Sequence, residues 1–233
     1  MEEMLVASDF VGISFWLATG IMLASTVFFL IERGDVSRKW KTSLTVSALV
    51  TGIAFWHYLY MRGMWVASGS SPTVYRYVDW LITVPLQIIE FYLILSAVTK
   101  VKASLFWQLL VASLVMLVGG YLGEAGYIDR MPGFIIGMLG WAGVIYLIFA
   151  GEAAKVNTSS DNSAGQKAFN YLRLIVLVGW AIYPIGYLVG TEENSGLLNI
   201  IYNLADLVNK TAFGLVIWSA AVSDTKSDIS DSQ

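Results

Sequence analysis

The stretch Asn203-Leu204-Ala205-Asp206-Leu207-Val208-Asn209-Lys210 lies inside an apolar run from Gly196 to Ala221. At about 1.5 Å per helical residue that run is long enough to cross a bilayer. Lys210 falls near its middle, too deep to snorkel, where an ammonium group costs about 3 kcal/mol or more. Asp206 lies one helical turn earlier on the same face, so the two can share a site. Two readings of the pair are open. It is a structural ion pair, or it is a buried amine that forms a Schiff base with an aldehyde, the carboxylate acting as counterion. Both require a helix inside a membrane with its polar face turned inward.

The rest of the chain agrees with that setting. Of 233 residues, 57% are hydrophobic and only 13% are charged, and the mean hydropathy is +0.66. Repeated apolar runs near twenty residues, on that background, indicate an integral membrane protein. The runs are too long and too uniformly apolar for barrel strands. The absence of cysteine excludes disulfides and thiolate chemistry, and the single histidine, His57, excludes a histidine-rich metal site. No Gly-rich phosphate loop is present, and no nucleic-acid partner is expected.

The expected fold is an all-α, integral-membrane bundle of seven transmembrane helices. The spans are Phe10–Ile31, Ser43–Met61, Tyr75–Val98, Ser104–Leu122, Gly133–Ala150, Phe169–Leu188 and Gly196–Ala221. The Met-Glu-Glu start is too acidic, and the first span too long, for a secretory signal peptide. Basic residues in short loops set the orientation. Arg33, Arg38, Lys39, Lys41, Lys100, Lys102, Lys155, Lys167 and Arg173 fall on one side, with Lys226 in the tail. The other side has Arg62 and Arg130 with acidic Glu124, Asp129, Glu192 and Glu193. The amino terminus is therefore expected outside and the carboxy terminus in the cytoplasm. Short connections make residues 1–223 one domain. Asn157 to Gly165 reads as a mobile loop, and 224–233 as a disordered cytoplasmic tail.

The third span carries a polar line. Arg76, Asp79, Thr83, Gln87 and Glu90 recur at steps of three and four, which puts them on one helical face. Such a stripe cannot face lipid and must face the bundle interior. Asp79 and Glu90 point the same way, about three turns and roughly 16 Å apart in depth. Arg76 and Asp79 can form an i, i+3 pair, Glu90 can snorkel to the cytoplasmic surface, and Thr83 can bond back to its own helix. Taken together, two carboxylates at different depths with an amine between them form a proton relay. His57 in span two lies near the depth of Asp79, where it can hydrogen-bond a carboxylate or be a satisfied histidine with no such role. In span six Trp180, Tyr183 and Tyr187 share a face, and Pro184 should kink the helix. With Trp80, Met116 and Trp141 they can form packing or a flat slot for a conjugated chain.

At these residues the sequence resembles the microbial rhodopsins, and within them the blue-absorbing branch of the proteorhodopsins. The matching stretches are Arg-Tyr-Val-Asp-Trp-Leu-Ile-Thr-Val-Pro-Leu-Gln-Ile-Ile-Glu from Arg76, Phe-Ile-Ile-Gly-Met-Leu-Gly-Trp from Phe134, Gly-Trp-Ala-Ile-Tyr-Pro from Gly179, and Ile-Tyr-Asn-Leu-Ala-Asp-Leu-Val-Asn-Lys from Ile201. The resemblance implies all-trans-retinal as a protonated Schiff base on Lys210. It implies Asp79 as counterion and proton acceptor, Asp206 as second counterion and Glu90 as cytoplasmic donor. Thr83 occupies the middle of the family's Asp-Thr-Glu signature, Arg76 modulates the counterion cluster, and His57 hydrogen-bonds the acceptor. Trp80, Trp141, Trp180, Tyr183 and Pro184 match the pocket walls, with Met116 beside the ring. Gln87, where green-absorbing relatives carry leucine, implies blue absorption.

The implied function is a light-driven outward proton pump in the bacterial inner (cell) membrane, multi-pass and not an enzyme. Relatives assemble as pentamers or hexamers. The alternative is a photosensory rhodopsin with a slow photocycle and a transducer partner. A chloride pump wants a neutral group at Asp79, and a sodium pump wants Asn and Gln in the signature. A carotenoid antenna is not expected, because Phe134 fills the ring-adjacent position that must be small.

Overall fold

The computed structural model of the chain describes residues 5–190 and 194–230. Glu192 and Glu193, the first four residues and the last three lie outside the described residues. Helix α1, Phe10–Glu32, begins where Asp9 accepts a hydrogen bond from the Gly12 N–H at 2.8 Å; the side-chain oxygen satisfies an orphan donor of the first turn. Helix α2, Lys41–Ser68, follows a single 3₁₀ turn at Arg38–Trp40. It ends at Gly69, whose φ of 63° is the left-handed cap that glycine adopts without a Cβ penalty. Helix α3 is Thr73–Val98, α4 is Ala103–Glu124 and α5 is Arg130–Phe149. The helix is interrupted at Ala150 and Gly151 and resumes as α6, Glu152–Ser159. Helix α7, Ser163–Leu174, runs into a wide π turn at Ile175–Gly179, and α8 is Ile182–Val189. Helix α9 is Ser195–Ser230.

Among the described residues, seven helical spans are long and apolar enough to cross a membrane: 10–32, 38–68, 73–98, 103–124, 130–159, 163–189 and 195–228. They form an all-helical seven-helix bundle. Helix α1 packs on α2 and α9, α2 on α3, α3 on α4, α4 on α5, and α7 on α9. The α4–α5 contact is the closest kind. A Cβ on Gly133 would come 2.8 Å from the Gly123 nitrogen and 3.0 Å from the Gly119 oxygen, so the small residues let the two backbones touch.

Exposure is the reverse of a soluble protein's. Leu139 is 67% exposed, Val178 70% and Trp56 58%, whereas Arg76, Asp79, Glu90 and Lys210 are all buried. Apolar side chains on the outside and ionisable ones within fit a bilayer as solvent.

Two expectations are corrected here. The segment 157–165 is not a loose loop. Asn157 and Ser160 are buried, Gln166 Nε2 donates to the Asn157 carbonyl at 3.1 Å, and the Asn162 side chain caps α7 by accepting from Gly165 N at 2.7 Å. The tail from 224 is not disordered through Ser230, because α9 continues there. Its buried Asp224 accepts from Trp40 Nε1 at 2.7 Å, pairs with Lys39 Nζ at 2.7 Å and accepts from Asn162 Nδ2. Composition alone could not reveal a carboxylate tied to three residues, two in the turn before α2 and one at the cap of α7. While Lys39 keeps its pair with Asp228 at 2.9 Å, Asp224→Ala takes the acceptor from Trp40 Nε1 and Asn162 Nδ2. It should lower stability by about 1–3 kcal/mol, read as a lower unfolding midpoint and faster proteolysis near the carboxy terminus.

Candidate functional site

Lys210 lies on the inward face of α9, and its Nζ donates to Asp79 Oδ2 at 3.0 Å and to Asp206 Oδ2 at 2.9 Å. One carboxylate comes from α3 and the other from the preceding turn of α9. An ammonium removed from water needs this pairing, since an unpaired buried charge is strongly disfavoured. The two acids are not equivalent. Asp206 also accepts from Tyr58 OH at 3.0 Å, Tyr183 OH at 2.7 Å and Trp80 Nε1 at 3.2 Å. Asp79 has only the lysine; its Oδ1 makes no hydrogen bond.

The expected bond from His57 to Asp79 is not made. His57 Nδ1 lies 3.6 Å from Asp79 Oδ1 but 3.0 Å from the Ile53 carbonyl one turn back, so the ring is satisfied on its own helix. Arg76 and Asp79 likewise form no pair. A helical side chain leans toward the helix amino terminus, which carries the guanidinium away from Asp79. Arg76 Nη2 donates instead to Asn199 Oδ1 at 2.7 Å and Asn203 Oδ1 at 2.6 Å, both on α9. Asn203 in turn donates to Ser14 Oγ at 2.9 Å. Thr83 does bond back, to the Asp79 carbonyl at 3.0 Å. Glu90 does not reach the surface: it is 1% exposed, and neither carboxyl oxygen has a hydrogen-bond partner.

An apolar cavity opens beside Lys210 and Asp206. Trp80, Gln87, Met116, Trp141, Trp180, Tyr183 and Pro184 line it, together with Phe134. Trp80 and Tyr183 meet edge to face at 5.2 Å, and Trp141 Nε1 donates to the Val176 carbonyl at 3.2 Å. Gln87 Nε2 is buried without a partner. The helix of the sixth span is interrupted at the wide turn Ile175–Gly179 and not at Pro184, which sits in the first turn of α8, where a missing N–H costs nothing. Arg76, Asp79, Thr83, Glu90 and His57 stand outside the lining.

Several residues were not singled out from the sequence: Tyr58, Asn199, Glu124 and Asn209. Asn199, Asn203, Asp206 and Lys210 recur at steps of four, three and four, so the periodicity used for the third span could have found Asn199. Tyr58 gave no such signal, being one aromatic among many in an apolar run. Glu124 stood out only as a loop charge, yet it lines the cavity and accepts from Tyr77 OH at 2.8 Å.

The model of the bacteriorhodopsin-like protein family matches residues 9–224. The chain is 60% identical over 224 residues to a green-light absorbing proteorhodopsin of gamma-proteobacterium EBAC31A08, covering 94% of this chain and 89% of that one. It is 59% identical over 223 residues to a blue-light absorbing proteorhodopsin of gamma-proteobacterium Hot 75m4, covering 94% and 88%. The crystal structure of a blue light-absorbing proteorhodopsin from Med12 superposes with a TM-score of 0.80 at 60% identity, covering 93% of this chain and all of that one. Xanthorhodopsin, described as a light-driven ion pump with dual chromophore, superposes at 0.82 with 26% identity, covering 96% and 98%. With a family model spanning nearly its whole length and proteorhodopsin relatives at this identity, the chain belongs to the bacteriorhodopsin-like family of microbial rhodopsins.

Proposed function

We propose that the protein is a light-driven outward proton pump of a bacterial cell membrane, with all-trans-retinal bound to Lys210. The amino terminus is outside and the carboxy terminus cytoplasmic, on the charge asymmetry of the short loops. The reading is supported by relatives named as proteorhodopsins. It is carried by one observation: the Lys210 nitrogen lies between Asp79 and Asp206, with Glu90 sealed and unpartnered three turns along the same helix as Asp79.

The residues present fit retinal. The cavity has one amine at its edge, aromatic and apolar walls, and an amide, Gln87 Nε2, without a partner. When bound as a Schiff base, retinal supplies light absorption and a change of shape that redirects the nitrogen's N–H. The chain's own groups do the rest. Of the two acids, Asp79 takes the proton at Oδ2, because its charge is held by one donor while that of Asp206 is held by four. Asp206 stays charged, its carboxylate held by Tyr58, Trp80 and Tyr183 besides the Lys210 nitrogen. Glu90, in an apolar setting without a cation beside it, holds the proton that later returns to the Lys210 nitrogen. Arg76, tied to Asn199 and Asn203 on the outer side, stabilises negative charge there without pairing with either acid. Acceptor outward and donor inward make transport vectorial. The exposed apolar faces are covered by lipid and by further copies in a ring of five or six.

Gln87 sets the colour. An amide dipole that favours the ground-state charge distribution over the excited one widens the gap between them, so the pigment absorbs in the blue. Gln87→Leu should move the absorption band of the purified pigment to the red, and an unmoved band would refute the assignment.

The deciding experiment is illumination of an unbuffered suspension of cells supplied with retinal. A pump acidifies the medium in the light, and a protonophore cancels the effect. A photosensor takes up retinal and absorbs light but leaves the external pH unchanged.

A further inference from the structure

The wide turn at Ile175–Gly179 interrupts the hydrogen-bond ladder of the sixth span and leaves backbone carbonyls in need of other donors. Side chains at the edge of the cavity supply them. Trp141 Nε1 serves the Val176 carbonyl at 3.2 Å, and Asn209 Nδ2 serves the Gly179 carbonyl at 3.1 Å. Asn209 precedes Lys210 on α9 and does a second thing. The same Nδ2 donates to the Tyr183 hydroxyl oxygen at 3.3 Å, and Tyr183 OH donates to Asp206 Oδ1 at 2.7 Å. Asp206 Oδ2 accepts from Lys210 Nζ at 2.9 Å. The contacts thus make one unbroken line from the backbone of the broken turn to the nitrogen at the centre of the site. Glycine at 179 is what admits the amide, since a Cβ there would fall on Asn209 Oδ1.

We infer that Asn209 is a positioning residue that couples the broken turn of the sixth span to the Asp206–Lys210 pair through Tyr183. Its amide has two N–H groups, one for each acceptor. Moving either acceptor away leaves a buried polar group unpaired, and bonds in such a chain reinforce one another. A displacement at the Lys210 nitrogen is therefore felt at the turn, and opening of the turn loosens the hold on Asp206. The light-driven half of this inference rests on Lys210 as the site of retinal attachment; the mechanical half does not.

The test uses the full chain in lipid and compares wild type with Asn209→Ala, Tyr183→Phe and the double variant. Without added retinal, amide hydrogen exchange over residues 175–181 should quicken by about tenfold in Asn209→Ala, the scale of losing one buried hydrogen bond. With retinal, the return to the dark spectrum after a flash should change in rate by a similar factor in each single variant. In the double variant the change in flash recovery should match that of Tyr183→Phe alone, because residues acting along one line do not add. A residue that only fills space would give changes that multiply. Asn209→Ser, whose one hydroxyl proton cannot serve both acceptors, replaces the alanine variant should that fail to accumulate. Unchanged exchange over 175–181, or multiplying effects on flash recovery, overturns the inference. A wild-type protein that takes up no retinal sinks the chromophore reading, while the exchange measurement still decides the link to the turn.

Discussion

Lys210→Ala, expressed with retinal supplied, should give a colourless protein. Among the residues that line the cavity, Lys210 is the one amine, and the amide and indole nitrogens that remain without it do not condense with an aldehyde. A second effect accompanies the first. Asp79 and Asp206 lose the cation they share, and removing one partner of a buried ion pair costs about 3–5 kcal/mol. Arg76 is anchored through Nη2 to Asn199 and Asn203 and pairs with neither acid, although its Nε and Nη1 are buried without partners. Lys210→Arg separates the two effects: the charge remains and most of the stability with it, yet no pigment forms. A visible band that survives in Lys210→Ala without any added amine would show that the chromophore is held some other way.

Asp79→Asn should stop transport, by about a hundredfold or more, the scale for deleting a side chain that carries the proton. The band should also move to the red, since a carboxylate beside the cation stabilises the ground state more than the excited one. The asymmetry of the two acids predicts a different result for Asp206→Asn. There four donors, Tyr58, Trp80, Tyr183 and Lys210, face an amide instead of a carboxylate, so the larger loss is of folded pigment. Should Asp79→Asn pump at the wild-type rate while Asp206→Asn folds normally and does not, the roles of the two acids are exchanged.

Much of the fold was legible before any coordinates, for a physical reason. A membrane span must be long, apolar and internally hydrogen-bonded, so spans announce themselves, and ionisable residues within them stand out. That is why Asp79, Glu90, Asp206 and Lys210 could be singled out and the inward stripe of the third span drawn. Helix ends were less accessible. Helix α9 runs on to Ser230, past Asp224, which is tied to Lys39, Trp40 and Asn162, partners more than sixty residues away in sequence whose meeting no local pattern encodes.

The sequence by itself determined seven helices, a membrane and a buried amine with acids one turn away and across the bundle, because hydrophobic period and charge are local properties. Only the tertiary structure decided who holds whom. It turned His57 back onto Ile53, sent Arg76 to the asparagines of α9 rather than to Asp79, and gave Asp206 three donors beyond the lysine. Hydrogen bonds between helices depend on side-chain direction and on the rotation of each helix about its own axis, and periodicity fixes neither to better than a face.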